Sequence, residues 1–419
     1  MVKAQRGTID VLPTESAKWQ FLEENARKIC SLHNIKEIRT PVFEGTELFV
    51  RSSGESSDVV NKEMYTFDDK GGRSITLRPE GTAGIVRACV EHGLFNESLP
   101  LKLFYLISAY RYEKPQAGRL REFRQFGVEL FGSNSVKMVA EALEVGKDYL
   151  NSIGIKNVKA KINTLGCKEC REKYTLALKK YFENNIDSMC EDCHRRLNQN
   201  PLRILDCKVD ICKEIAKNAP KVSEVLCDDC KQYFASLQEV LKCKNIDYEV
   251  DESIIRGLDY YTGVVFEFET TDIQGSSAVV GGGGQYNNLV EELGGPSVPA
   301  VGFAFGIERL LMLLEAQMAG KVFDKPLEAL IITMNNDKEY SNFEQKVLSI
   351  LRNNGISADV DYMDRSFRAN FKYANKIQAK FVCVVGEEEL KKNSVNLKNM
   401  LTGEQKLVKL DDLVCEIKG

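Results

Sequence analysis

The chain has 419 residues, with 57 Lys and Arg against 61 Asp and Glu for a formal net charge of −4, and thirteen cysteines. That length predicts roughly two to four domains, and the charge balance excludes a global pull toward nucleic acid, so any polyanion must meet a local basic patch. An odd cysteine count without a secretory leader points to reduced thiols, and no stretch approaches the roughly 20 apolar residues of a membrane span, so a cytoplasmic protein with no membrane contact is expected.

Residues 15–33 space Trp19, Leu22, Ala26 and Ile29 at helical intervals, with Thr14 and Asp10 as candidate caps. The following IKEIRTPVFEGTELFVRSSG reads as a strand broken at Pro41, which suits an edge or interface because proline donates nothing to a ladder. MYTFDD and RSITLRP flank a KGG turn, and LKLFYLISAYRYE and RLREFRQFGVELFG flank KPQAG, giving two antiparallel hairpins in series. A helix over 136–150 follows. There is no GxGxxG or Walker A run, so a parallel nucleotide-binding wind is not expected.

From Cys167 to about Cys243 the sequence turns helical, charged and cysteine-rich, as an inserted module would. Strand character returns in VVFEFETT and SAVVGGGG, completing the same sheet, and VPAVGFAFGIERLLMLLEAQM closes it with a strand and a helix. After Lys325 and Pro326, strands LEALIIT, SADVDYM and KFVCVVG alternate with helical segments. The expected fold class is α/β multidomain: an antiparallel sheet flanked by helices over 1–165 and 251–324, a helical insertion over 166–250, and an α/β domain over 325–419.

Three segments carry chemistry. In TLRPEGTAGIVRA, Glu80 and Thr82 stand between a strand and a helix and could hold an ammonium; equally, Thr82 could cap the helix with Glu80 favoured by its dipole. The hairpin carrying Arg111, Glu113, Arg119, Arg121, Phe123, Arg124, Gln125 and Glu129 crowds guanidiniums beside carboxylates. Burying them unpaired would cost several kcal/mol, so a nucleotide phosphate is the natural guest, with Phe123 as a stacking surface for a base; the alternative is a solvated face of alternating charges. In GFAFGIERLLMLL, Arg309 opposes the dipole at a helix start, which suggests an external anion.

Together with the proline-broken TPVFE, these segments resemble the motifs of class II aminoacyl-tRNA synthetases. The blocks RGLDYYTGVVFEF and GGGGQYNNLVEELGG are similar to the signatures of histidyl-tRNA synthetases, a likeness that extends over essentially the whole chain. The resemblance implies ATP-dependent activation of L-histidine, with Mg²⁺ bridging the phosphates, and transfer to tRNA(His) by a homodimer whose interface strand contains Pro41. It assigns Arg111 and Arg256 to the α-phosphate and the substrate carboxylate, stabilising charge as it develops there. Phe123 would stack on adenine, with Glu113 near its amino group and Arg119 and Arg309 on the terminal phosphates. Glu80, Thr82 and Gln125 would hold the α-ammonium, and Glu129, Tyr260, Tyr261 and Tyr286 would line an imidazole pocket, whose two ring nitrogens a carboxylate and a phenol can satisfy together. Arg121 is expected to face tRNA. One departure is visible: the family usually has GGRYD where this chain reads Gly284, Gln285, Tyr286 and Asn287, which puts the roles of the usual arginine and aspartate in doubt.

The insertion holds three C-x-x-C pairs, Cys167/Cys170, Cys190/Cys193 and Cys227/Cys230, plus Cys207, Cys212 and Cys243. Two such pairs can complete a tetrahedral zinc site, with Cys190, Cys193, Cys227 and Cys230 as the candidate set; alternatively the cysteines pack as small hydrophobes, since many synthetases resembling this one have a metal-free insertion. In the last domain Arg365, Arg368, Lys372 and Lys376 recur at helical steps, a stripe that fits a phosphate backbone and, by the resemblance, the tRNA. The rival readings are the non-enzymatic regulatory subunit of ATP phosphoribosyltransferase, which looks like the catalytic domain, and a class II synthetase for threonine, proline or glycine.

Overall fold

Pro13 opens the first helix, α1 (Pro13–Leu32), at a position where its missing amide hydrogen is no loss. The residue before it, Leu12, makes no side-chain cap, so neither Thr14 nor Asp10 caps the helix. The computed structural model describes residues 2–54, 57–255, 258–273, 278–335 and 337–419. They divide into two units at Val322 and Phe323.

In the larger unit, β1 (Lys36–Glu37) and β2 (Phe43–Gly45) flank Pro41, and the break is enforced by Arg78, whose guanidinium donates to the carbonyls of Thr40, Pro41 and Ser108 at 2.9, 3.1 and 2.7 Å. The strand expected to continue through Ser53 is instead α2 (Thr46–Ser53), because Leu48, Phe49 and Ser52 bury one face at helical spacing. Strands β3 (Tyr65–Asp68) and β4 (Ser74–Leu77) form the first expected hairpin, but they join β2 in a separate three-stranded sheet. After α3 (Thr82–Glu91) comes the second hairpin, β5 (Leu101–Tyr110) and β6 (Glu122–Phe131), paired in unbroken register from Leu101 opposite Phe131 to Tyr110 opposite Glu122.

Helix α4 (Val136–Ser152) leads to β7 (Val158–Thr164), a strand the sequence pattern did not single out. The insertion supplies α5 (Lys168–Glu183), α6 (Glu191–Gln199), α7 (Asp210–Lys217) and α8 (Asp228–Cys243) around a core of its own that includes Tyr174, Leu178, Phe182, Leu197 and Ile204. Then follow β8 (Tyr248–Val250), β9 (Thr262–Thr270), β10 (Val279–Gln285), α9 (Leu289–Glu292), β11 (Ala300–Gly306) and α10 (Ile307–Gln317). The main sheet runs β1-β5-β6-β11-β10-β9-β7-β8 among the described residues, parallel at its two outermost pairings and antiparallel between.

Strand alternation gives that sheet two characters. Phe126, Phe303, Phe305 and Phe268 meet Tyr149 of α4 in an aromatic cluster on one side. Gln125, Gly127 and Glu129 of β6 face the other. There Tyr105 of β5 lies flat across Gly127, and a Cβ at that glycine would collide with the ring.

The smaller unit has β12 (Ala329–Thr333), α11 (Lys338–Asn353), β13 (Ala358–Val360), α12 (Phe367–Lys376), β14 (Phe381–Val385), α13 (Glu387–Lys391), β15 (Ser394–Asn399), β16 (Gln405–Lys409) and α14 (Leu410–Lys418). Its sheet is β13-β12-β14-β15-β16: the expected alternating part is parallel, and an antiparallel hairpin extends it. No helix among the described residues is long and apolar enough to cross a membrane.

Candidate active site

The glycine-rich strands β10 and β11 floor a cleft walled by β5, β6, the start of α3 and the chain at 258–261. Glycine is required at Gly302, where a Cβ would run into the Glu129 carboxylate. The flat floor brings ligands against backbone.

Glu129 is 1% exposed and surrounded by donors. Thr82 Oγ1 donates to Oε1 at 2.7 Å, Tyr286 OH donates to Oε2, and Tyr105 adds a further hydrogen bond. Burial dominates even so and pushes the carboxyl up to about 8. Tyr260 packs on Tyr261 and Tyr286 with ring centroids 4.7 and 5.6 Å apart, so an aromatic wall stands beside the carboxyl. Glu80, also raised by burial, accepts the amides of Thr82 and Ala83 at 2.7 and 2.8 Å. Glu80 therefore serves the N-terminal amides of α3, while Thr82, a candidate cap in the sequence, turns its hydroxyl to Glu129. Close by, Gln125 Oε1 is buried with no hydrogen-bond partner, an acceptor directed at a donor that a ligand can bring.

At the other end of the cleft, Arg111 Nε donates to the Pro79 carbonyl at 2.8 Å, and its guanidinium lies 5.3 Å from the Phe123 ring centroid. Glu113 stands 4.0 Å from Arg111 and 3.3 Å from Arg119, whose Nε is buried without a partner. Arg309 donates to the Val279 carbonyl and lines the same cleft. Glu308 accepts the Arg124 amide at 2.9 and 3.1 Å, and burial pushes it up to about 7.

The cleft thus gathers Glu80, Thr82, Arg111, Glu113, Arg119, Phe123, Gln125, Glu129, Tyr260, Tyr261, Tyr286 and Arg309. Arg256 falls outside the described residues. Arg124 departs from expectation: its guanidinium lies over Trp19, 4.9 Å from the ring, because strand alternation turns it away from its neighbours Phe123 and Gln125. Arg121 lies over Tyr112 at 3.9 Å, and its amide donates to the Gly7 carbonyl. Gln285 and Asn287 are structural: Gln285 accepts the Val264 amide and donates to Asn134 and to Tyr233 of α8, and Asn287 accepts the Ala300 amide.

Sequence reasoning missed how the insertion holds the pocket. Arg171 of α5 donates to the carbonyls of Tyr261 and Asp259 at 2.9 and 3.3 Å. Arg203 and Asn200 meet the Asp259 carboxylate at 2.9 Å. The peptide bearing both tyrosines is therefore gripped from the insertion side. Asp259 stands inside the RGLDYY block, but its partners, roughly 55 to 90 positions earlier, leave no local signal.

Cys190 and Cys193 gather with Cys207 and Cys212, and Cys227 and Cys230 gather with Cys167 and Cys170, so the expected four-cysteine set does not form. C-x-x-C spacing reveals the pairs but not which pairs meet. Arg365 precedes α12 and is tied to Asp361, with its guanidinium 4.4 Å from the Tyr373 ring, whereas Arg368, Lys372 and Lys376 are exposed on the helix.

Residues 7–310 match the family model described as histidyl-tRNA synthetase, and residues 328–419 match the anticodon binding domain. The histidine–tRNA ligase of Caldanaerobacter subterraneus subsp. tengcongensis is 49% identical across 100% of both chains, and that of Clostridioides difficile is 46% identical across 100% of this chain and 99% of its own. The crystal structure of apo S. aureus histidyl-tRNA synthetase matches with a TM-score of 0.85 and 40% identity across 100% of both chains. An ATP phosphoribosyltransferase regulatory subunit/histidyl-tRNA synthetase from Bacillus halodurans matches at 0.67 with 20% identity, over 92% of this chain and 98% of that one, a likeness of fold alone.

Proposed function

The chain belongs to the histidyl-tRNA synthetase family and charges tRNA with histidine, and on that premise we propose how its cleft divides the work. Histidine enters the tyrosine-walled end. Glu129 accepts a ring N–H, a tyrosine hydroxyl meets the second ring nitrogen, and Gln125, Glu80 and Thr82 surround the α-ammonium. The observation that carries this reading is Glu129, buried yet held by Thr82 and Tyr286, beside the unpartnered Gln125 oxygen. An apolar amino acid would bring no ring N–H to Glu129 and no donor to Gln125 Oε1, and a site that hydrogen-bonds its substrate can reach roughly 10⁴ in discrimination.

ATP occupies the arginine end, its base on Phe123 and near Glu113, its terminal phosphates at Arg119 and Arg309. The histidine carboxylate attacks the α-phosphorus, pyrophosphate leaves, and Arg111 stabilises the charge that develops on the phosphate oxygens. Arg256 joins Arg111 in this role on the family pattern. Mg²⁺ on the ATP phosphates would supply further charge neutralisation, and Glu113 and Glu308 are cleft carboxylates whose hard oxygen donors suit it. The terminal ribose hydroxyl of tRNA(His) then attacks the activated carbonyl and releases AMP.

Arg368 and Lys372, with Arg121 and Arg365, contact the tRNA backbone in this scheme. The protein works in the cytoplasm as a homodimer, with catalytic segments 1–165 and 251–324, insertion 166–250 and anticodon-binding domain 325–419. Amino-acid-dependent ATP–pyrophosphate exchange tests the assignment: exchange with histidine alone is expected. Absence of exchange with every amino acid would favour the regulatory-subunit role, and exchange with threonine, proline or glycine would refute the pocket.

A further inference from the structure

Eight of the thirteen cysteines converge into two quartets: Cys167, Cys170, Cys227 and Cys230, and Cys190, Cys193, Cys207 and Cys212, with the sulfurs of each quartet within 4.8 Å of one another. We propose that each quartet binds one Zn²⁺ through four thiolates, and that the two ions are the frame on which the insertion grips the histidine-pocket loop.

The spacing argues for a single tetrahedral ion. A Zn–S bond of about 2.3 Å sets the edge of a regular tetrahedron near 3.8 Å. Cys167 and Cys170 sulfurs lie 3.5 Å apart, and those of Cys190 and Cys207 lie 3.7 Å apart. A four-iron cube would hold its cysteine sulfurs much further apart. All eight are free thiols.

Backbone amides already point at the sulfurs. The Cys167 amide donates to Cys230 Sγ at 3.2 Å, and the Cys227 amide donates to Cys170 Sγ at 3.1 Å, so each pair of the first quartet serves the other. In the second quartet the Cys190 amide donates to Cys212 Sγ at 3.3 Å. Cys167, Cys190 and Cys227 each stand at the N-cap of a helix, where the dipole favours thiolate. Elsewhere Cys30, Cys89 and Cys383 are buried and belong to no such cluster among the described residues, as small hydrophobes would.

Each quartet abuts the grip. Arg171, which holds the carbonyls of Tyr261 and Asp259, follows Cys170 directly. Arg203 and Asn200, which hold the Asp259 carboxylate, lie between Cys193 and Cys207. The ions would thus fix the elements from which three donors reach the pocket loop.

The experiment is elemental analysis of the full chain, purified under reducing conditions without chelator, then stripped and titrated with zinc. Two equivalents per chain are expected in both measurements, with tetrahedral thiolate absorption when cobalt(II) replaces zinc. Cys207→Ser with Cys212→Ser, and separately Cys227→Ser with Cys230→Ser, should each leave one equivalent. Less than a few tenths of an equivalent in the unmodified protein, about one equivalent, or iron in place of zinc would overturn the proposal, and none of these outcomes depends on the variants folding. Loss of all metal in either folded variant would overturn the pairing.

Discussion

The cleft and the cysteine-rich insertion gather reactive side chains in opposite ways. In the cleft, the protein answers its own buried acids: Glu80 has the amides of α3, and Glu129 has the hydroxyls of Thr82 and Tyr286. In the insertion, eight sulfurs meet chiefly one another and a few amides. Buried polar groups with fixed donors make a preorganised receptor, whereas four converging thiols suit a bound cation. The two regions meet at Asp259, Tyr260 and Tyr261, so the receptor's shape depends on the frame behind it.

The largest expected effect separates chemistry from framework. Arg111→Ala should lower kcat/KM for histidine-dependent pyrophosphate exchange by about 10³, the upper end for removing one donor to developing charge, while the thermal midpoint stays near that of the parent. Next, joint reversal of Arg368→Glu and Lys372→Glu should raise KM for tRNA roughly tenfold and spare pyrophosphate exchange, since exposed phosphate contacts do not shape the cleft. Equal loss of both activities would remove α12 from the account.

Arg171→Ala probes the junction directly. It should raise KM for histidine about fivefold and leave KM for ATP unchanged, because it loosens only the tyrosine-bearing peptide. A matching rise for ATP would mean that Arg171 supports the fold in general.

The smallest effect concerns stability. Glu129 is raised in the folded protein above its ordinary value, to about 8, so its ionisation cost is absent at acid pH, grows from about pH 4.5, and is complete above pH 8. Glu129→Gln should therefore raise the melting temperature at pH 8.5 by about 2–4 °C, with little change at pH 5. A lower midpoint at pH 8.5 would mean that Glu129's hydrogen bonds outweigh its burial.

The sequence carried the cleft further than the insertion for a physical reason. Hairpin β5–β6 and strands β9 to β11 declare themselves by alternation and glycine, and the family likeness supplied Glu80, Arg111, Glu129 and Arg309. Short pieces escaped: β8 has three residues, and α2 was hidden in an apolar run that suits either period. Arg124 shows that charge on a strand says nothing of which face it takes until register is fixed. Among the cysteines, the C-x-x-C signal is local, while the choice of partners, Cys170 with Cys230 and Cys190 with Cys212, is tertiary.

Buried Glu129 is the group placed to read the imidazole. Calorimetric titration of histidine and of ATP into the parent and Glu129→Gln proteins at pH 7.5 tests it most directly. Histidine affinity should fall roughly 10-fold or more, as expected when the buried hydrogen-bond acceptor of the ring is lost, while ATP affinity holds. Unchanged histidine affinity, or an equal loss for ATP, would contradict the account.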